Sequence, residues 1–130
     1  MIIKDKEGIY ELKVDLDRKV VTETYEKKLF TKEAVTRMAE DYRNKIFPLF
    51  KGKKWAKLCD MRNYMMTQNV PEAQEFVGEC YRNGMDKAAL IVATKVLEMQ
   101  MNRVGDAQAF KPVAFTDPVE ADNYLKSAGY

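Results

Sequence analysis

The chain has 130 residues, 46% of them hydrophobic and 32% charged, with a net charge of +2. These figures fit one globular domain over residues 1–130 with a core of its own. They make no case for nucleic acid, and no stretch approaches the roughly 18 apolar residues that span a bilayer.

Met1 to Glu7 carries charge where a secretion signal would be apolar, so a cytoplasmic location is expected. From Ile9 to Asp15 apolar and charged residues alternate, with Tyr10, Leu12, Val14 and Leu16 on one side. That is the period of a half-exposed strand. Asp17-Arg18 makes a turn, and Lys19 to Leu29 returns as a second strand, giving an antiparallel hairpin. Thr31 caps a long helix whose inward face is Val35, Met38, Ala39, Tyr42, Ile46, Leu49 and Phe50. Pro48 is expected to kink or end it near Phe47.

Three short apolar runs follow: Trp55 to Asp60, Lys87 to Ala93 and Lys111 to Phe115. Each leads into a stretch of helical period, the pattern of crossover units on a parallel sheet. The first of these helices opens at Pro71, turns Ala73, Phe76, Val77 and Cys80 inward, and stops at Gly84 in a left-handed conformation. The second runs from about Thr94 to Val104, with Leu97, Met101 and Val104 inward. The third starts at Asp117-Pro118-Val119-Glu120, a cap, a proline at the first turn and an acid two residues on. It turns Ala121, Tyr124, Leu125 and Ala128 inward.

The absences narrow the chemistry. There is no histidine, and the one serine is Ser127. Histidine-activated nucleophiles and most zinc sites are therefore excluded. No phosphate loop and no dinucleotide fingerprint is present. No cofactor and no metal is expected. Cys59 and Cys80 read as reduced, packed thiols rather than a disulfide. Lys4 and Lys6, Lys27 and Lys28, and the stretch Lys51 to Lys57 read as solvated surface, since acidic residues flank most of them. Glu72, Glu75 and Glu79 read as a solvated helix face.

The loop after Asp60 holds the main candidates: Met61, Arg62, Tyr64, Met65, Met66 and Thr67. Residues that follow a parallel strand emerge where such sheets hold ligands. Methionines there either pack under the next helix or form an adaptable apolar surface for a ligand, a partner or a second copy of the chain. Asp60 reads first as a cap for this loop, and otherwise as a ligand or catalytic group. An enzyme would have to use Asp60 with Cys59, whose thiol would need a depressed pKa. Thr67 and Thr94 precede helices and are either caps or phosphate acceptors.

The element order, with Leu58-Cys59-Asp60-Met61-Arg62, Ala88-Ala89-Leu90-Ile91-Val92 and the closing Phe115-Thr116-Asp117 with Ala121 and Leu125, resembles the STAS/SpoIIAA-like family. The likeness is nearer to its bacterial stand-alone branch, also described as STAS/SEC14-like, and runs from about residue 8 to 128. It implies an α/β fold: a four- to five-stranded mixed sheet with an N-terminal hairpin and about four helices packed mainly on one side. Family members that antagonise anti-sigma factors are switched by phosphorylation of a serine after the third strand. Here that stretch falls at Gln68, Asn69 and Val70, with no hydroxyl, and Thr67 is the nearest. The SEC14-like side implies a lipid or other apolar ligand. The expectation is a non-enzymatic cytoplasmic module that binds a partner protein or a small apolar ligand. The alternative is a phospho-regulated partner switch acting through Thr67.

Overall fold

The computed structural model describes residues 1–65, 71–106 and 112–130. Six strands form one mixed sheet: β1 (Ile2–Lys4), β2 (Tyr10–Asp15), β3 (Val20–Tyr25), β4 (Trp55–Asp60), β5 (Met85–Ile91) and β6 (Val113–Phe115). They lie side by side in chain order. The first three are antiparallel; β3 to β6 are parallel. The expected hairpin therefore gains an outer strand, β1, and the sheet has six strands instead of four or five. β1 is three residues long and only Ile3 is buried, too short for its alternation to register in the sequence. The return strand ends at Tyr25 rather than Leu29, because its partner β2 begins at Tyr10, opposite Tyr25.

A sheet whose parallel strands run in chain order sends every crossover the same way, and right-handed crossovers then land on one face. α1 (Lys32–Asp41), a π-helical turn (Tyr42–Ile46), α2 (Phe47–Phe50) and α3 (Pro71–Arg82) cover that face. Their buried side chains meet Leu12, Val21, Tyr25 and Trp55 of the sheet in the main core. α4 (Lys95–Asp106) packs along β6, where Asn102 bonds both the amide and the carbonyl of Ala114. α5 (Pro118–Ser127) follows the last strand, is bound by no crossover, and lies on the opposite face. There Ala121 and Leu125 pack on Val20, Ala56, Ala89 and Ile91.

The caps expected at Thr31 and Asp117 are present and Thr94 acts as one, while Thr67 and Asn69 lie outside the described residues. Ala34 donates its amide to Thr31, Leu97 to Thr94 and Val119 to Asp117. Pro48 acts through the turn before it. With no N–H on Pro48, the ordinary ladder cannot continue, and the chain widens so that the Phe47 amide reaches the Tyr42 carbonyl. The wide turn aims both Tyr42 and Ile46 into the core, each fully buried. Gly84 ends α3 at φ +99, and a Cβ there would lie 2.6 Å from the Lys53 carbonyl oxygen. Leu16, Leu97 and Ala128, expected inward, are exposed; Leu16 and Ala128 lie one residue past β2 and α5, and Leu97 lies in the first turn of α4.

Candidate functional site

Between α1, α3 and the strands β3 to β5 lies a cavity of about 520 Å³. Its walls are apolar: Phe30 precedes α1, Val35 and Met38 come from α1, Phe76 and Val77 from α3, and Met85 and Ala88 from β5. Tyr25, Phe30 and Tyr64 form one side as a ring cluster, with centroids 5.0 to 5.6 Å apart. Val77, expected inward, is exposed at the rim of the cavity it lines.

Two charges lie among these walls. Lys57 of β4 and Glu23 of β3 are both buried, with Nζ 2.8 Å from Oε2. The expectation that every lysine of the Lys51–Lys57 stretch is solvated fails at Lys57. β4 is a central strand covered on both faces, so alternation places Lys57 under the helices rather than in water. Its ammonium lies 4.7 Å from the Tyr42 ring centroid and 4.5 Å from that of Phe76, and both rings attract it.

Glu23 is surrounded by donors. The Tyr25 hydroxyl donates to Oε1 at 2.7 Å and the Cys59 thiol to the same oxygen at 3.5 Å. The Tyr42 hydroxyl and Lys57 donate to Oε2. Four donors match the roughly four lone-pair sites of a carboxylate. Burial pushes the Glu23 carboxyl up, but Lys57 and the two tyrosine hydroxyls outweigh it and hold it below the ordinary value. Burial likewise opposes the charged form of Lys57, and Glu23 outweighs it, raising the ammonium's pKa. The pair is ionised on both sides at neutral pH. Burial, reinforced by the Glu23 charge, drives the Cys59 thiol well above its ordinary value, so it stays protonated. Cys80 is pushed up to about 11, again mainly by burial.

The loop residues divide. Met61 and Tyr64 line the cavity and pack on the main core. Burial and the Glu23 charge push the Tyr64 phenol up to about 12. Asp60 caps the loop, accepting from the Arg62 amide at 3.2 Å, and it holds the Arg62 guanidinium at 2.7 and 2.9 Å. Arg62's hydrogen bonds to Asp60 lower the Asp60 carboxyl. Neither Asp60 nor Arg62 lines the cavity. Met65 is exposed, and its carbonyl accepts from the Phe30 amide at 2.8 Å. Met66 and Thr67 lie outside the described residues, as does Gln68 to Val70, the stretch matching the phosphorylated serine. Glu79, read as solvated, instead binds Arg43 through both oxygens at 2.6 and 2.8 Å and ties α3 to the π-helical turn.

Sequence reasoning missed Glu23, Lys57, Tyr25 and Tyr42 as a set. A signal was present. Glu23 shares the inward parity of Val21 and Tyr25, and Lys57 interrupts an apolar run. Opposite charges at apolar positions of two adjacent strands point to a buried pair. Among the described residues no group of three or more acidic or cysteine side chains forms a metal site.

A solved structure matches this arrangement along nearly the whole chain. It is an uncharacterized protein of the DUF3478 family with a SpoIIAA-like fold from Shewanella loihica PV-4. The TM-score is 0.67 at 13% sequence identity, over 95% of this chain and 93% of that one. The chain has a SpoIIAA-like fold. The resemblance drawn from Leu58–Arg62 and the closing helix therefore holds for the architecture. At 13% identity the likeness speaks to fold and leaves activity to the site itself. No family model matches the sequence. No curated protein matches it. Among the described residues no helix is long and apolar enough to cross a membrane.

Proposed function

We propose that this SpoIIAA-like protein is a non-enzymatic cytoplasmic module that holds a small apolar ligand between its sheet and helices α1 and α3. The observation that carries the reading is the cavity of about 520 Å³, walled by aromatic, methionine and aliphatic side chains. Its size lies in the range of small-molecule sites, and a few polar groups in an apolar wall is their usual make-up. Met61 and Tyr64 contribute to it from the loop at the carboxyl end of β4, where the fold class holds ligands. Binding suits these groups better than catalysis. Cys59 is held protonated, Lys57 is held charged, and every acceptor site of Glu23 is engaged. None is poised to take or give a proton near neutral pH.

The test is titration with the fluorescent neutral probe N-phenyl-1-naphthylamine. The wild-type protein should bind it with saturable enhancement. Ala73→Trp, which adds an indole to the α3 wall, should abolish binding while leaving the circular dichroism spectrum intact. A variant that stays folded and binds the probe as well as wild type would place the probe elsewhere and remove the reading.

A further inference from the structure

The polar part of the cavity wall makes a more specific demand on its occupant. We infer that the ligand is electrically neutral: an apolar chain or ring bearing one hydroxyl or carbonyl that meets Lys57 and Tyr25. This rests on the cavity being a binding site, as proposed above.

Glu23 and Lys57 face each other at 2.8 Å and cancel. Beyond this pair, no charged side chain lines the cavity among the described residues. The cavity is therefore apolar apart from this pair and a few neutral polar groups, and net neutral before anything enters. A ligand carboxylate would add a second negative charge beside one positive charge, among apolar walls that screen it less than bulk water does. A ligand ammonium would add a second positive charge, and the carboxylate that should receive it is already filled by four donors. Either ion would leave the site with one net uncompensated charge, which is expensive.

The same inventory shows what remains on offer. The Tyr25 hydroxyl gives its proton to Glu23, and its oxygen keeps lone pairs that can accept. Lys57 has three N–H groups; Glu23 takes one and the Cys80 sulfur shares a second, which leaves one. Both residues line the cavity. A hydroxyl can donate to the tyrosine oxygen and accept from the lysine; a carbonyl can accept from the lysine. The remaining lining is apolar apart from the Cys59 thiol, the Tyr64 phenol and the Gln74 amide. A hydrocarbon with one small neutral head therefore fits with little left unsatisfied.

The experiment displaces bound N-phenyl-1-naphthylamine with three molecules of equal chain length below their micellar concentrations: 1-dodecanol, dodecanoate and dodecylammonium. At pH 7.5 dodecanol should displace the probe at a concentration lower by about tenfold or more than either ion. Dodecanoate should gain on dodecanol as pH falls toward 5 and the acid becomes neutral. In Glu23→Gln the site keeps only the lysine's charge, and the preference should shift toward dodecanoate. Equal or tighter binding of dodecanoate or dodecylammonium by the wild-type protein at pH 7.5 overturns the neutral-ligand inference while leaving the cavity as a binding site. Failure of the wild-type protein to bind the probe or any of the three molecules overturns both.

Discussion

Replacing Lys57 with methionine keeps most of the stem's volume and removes the ammonium that faces Glu23. The two side chains are 5% and 3% exposed, so both ions are almost wholly withdrawn from bulk solvent in the fold. Two unit charges about 3 Å apart attract by roughly 5 kcal/mol at an effective dielectric of about 20. Breaking a buried pair from one side costs about 3–5 kcal/mol, because the remaining charge is left uncompensated. At about 4 °C per kcal/mol for a chain of this size, Tm should fall by roughly 10–20 °C. Urea unfolding followed by circular dichroism should show the same loss through a lower midpoint with an unchanged slope.

The pH dependence carries the sign. In the wild type the folded Glu23 carboxyl lies below its unfolded value, so its contribution is present above the unfolded pKa and lost as pH falls through the folded one. In Lys57→Met the main lowering influence is gone and burial raises the folded carboxyl instead. The folded state then binds the extra proton, and the variant loses stability as pH rises through that window. The gap between variant and wild type should therefore be narrower at pH 5 than at pH 7.5. A variant within about 1 kcal/mol of wild type, with a parallel pH profile, would refute the claim that the pair is buried and ionised.

Asp60→Ala should cost on the order of 1 kcal/mol, read as thermal midpoint, through loss of the bond from the Arg62 amide. Its ion pair with the half-exposed Arg62 should add little, so 1 M salt should leave the difference nearly unchanged. Gly84→Ala should destabilise by about 1–3 kcal/mol in denaturant unfolding, because φ is +99 and the new Cβ would meet the Lys53 carbonyl at 2.6 Å. Cys59 and Cys80 are buried with raised pKa values, so native-state labelling by a maleimide at pH 7.5 should proceed only as fast as the protein opens. Labelling of either thiol within seconds would contradict their burial.

Much of the architecture is written locally. Alternation over Tyr10 to Val14, the Thr31 and Asp117 caps, the stop at Gly84 and the apolar runs of β4 to β6 each depend on residues a few positions apart. They therefore survive translation from sequence to structure. The crossover rule then places α1 to α3 on one face without further information. Asp60 as a loop cap was legible for the same reason, since its amide partner is two residues away.

The cavity was not legible, because what matters there is distance in space between groups far apart in the chain. Lys57 alone reads as one more surface lysine in a basic stretch, and Glu23 as the polar member of a strand. Only the parallel pairing of β3 with β4 brings them together, with Val21 opposite Lys57 and Glu23 opposite Cys59. Only the π-helical turn before Pro48 sets the Tyr42 hydroxyl against the same carboxylate. The sequence by itself determined most of the elements, their order and the face most helices take, because short-range hydrogen bonding and hydrophobic period dictate those; the three-residue β1 and the π-helical turn escaped it. The tertiary structure decided which charges are buried and what they enclose, because an ion leaves water only when a partner from another strand is already in place to receive it.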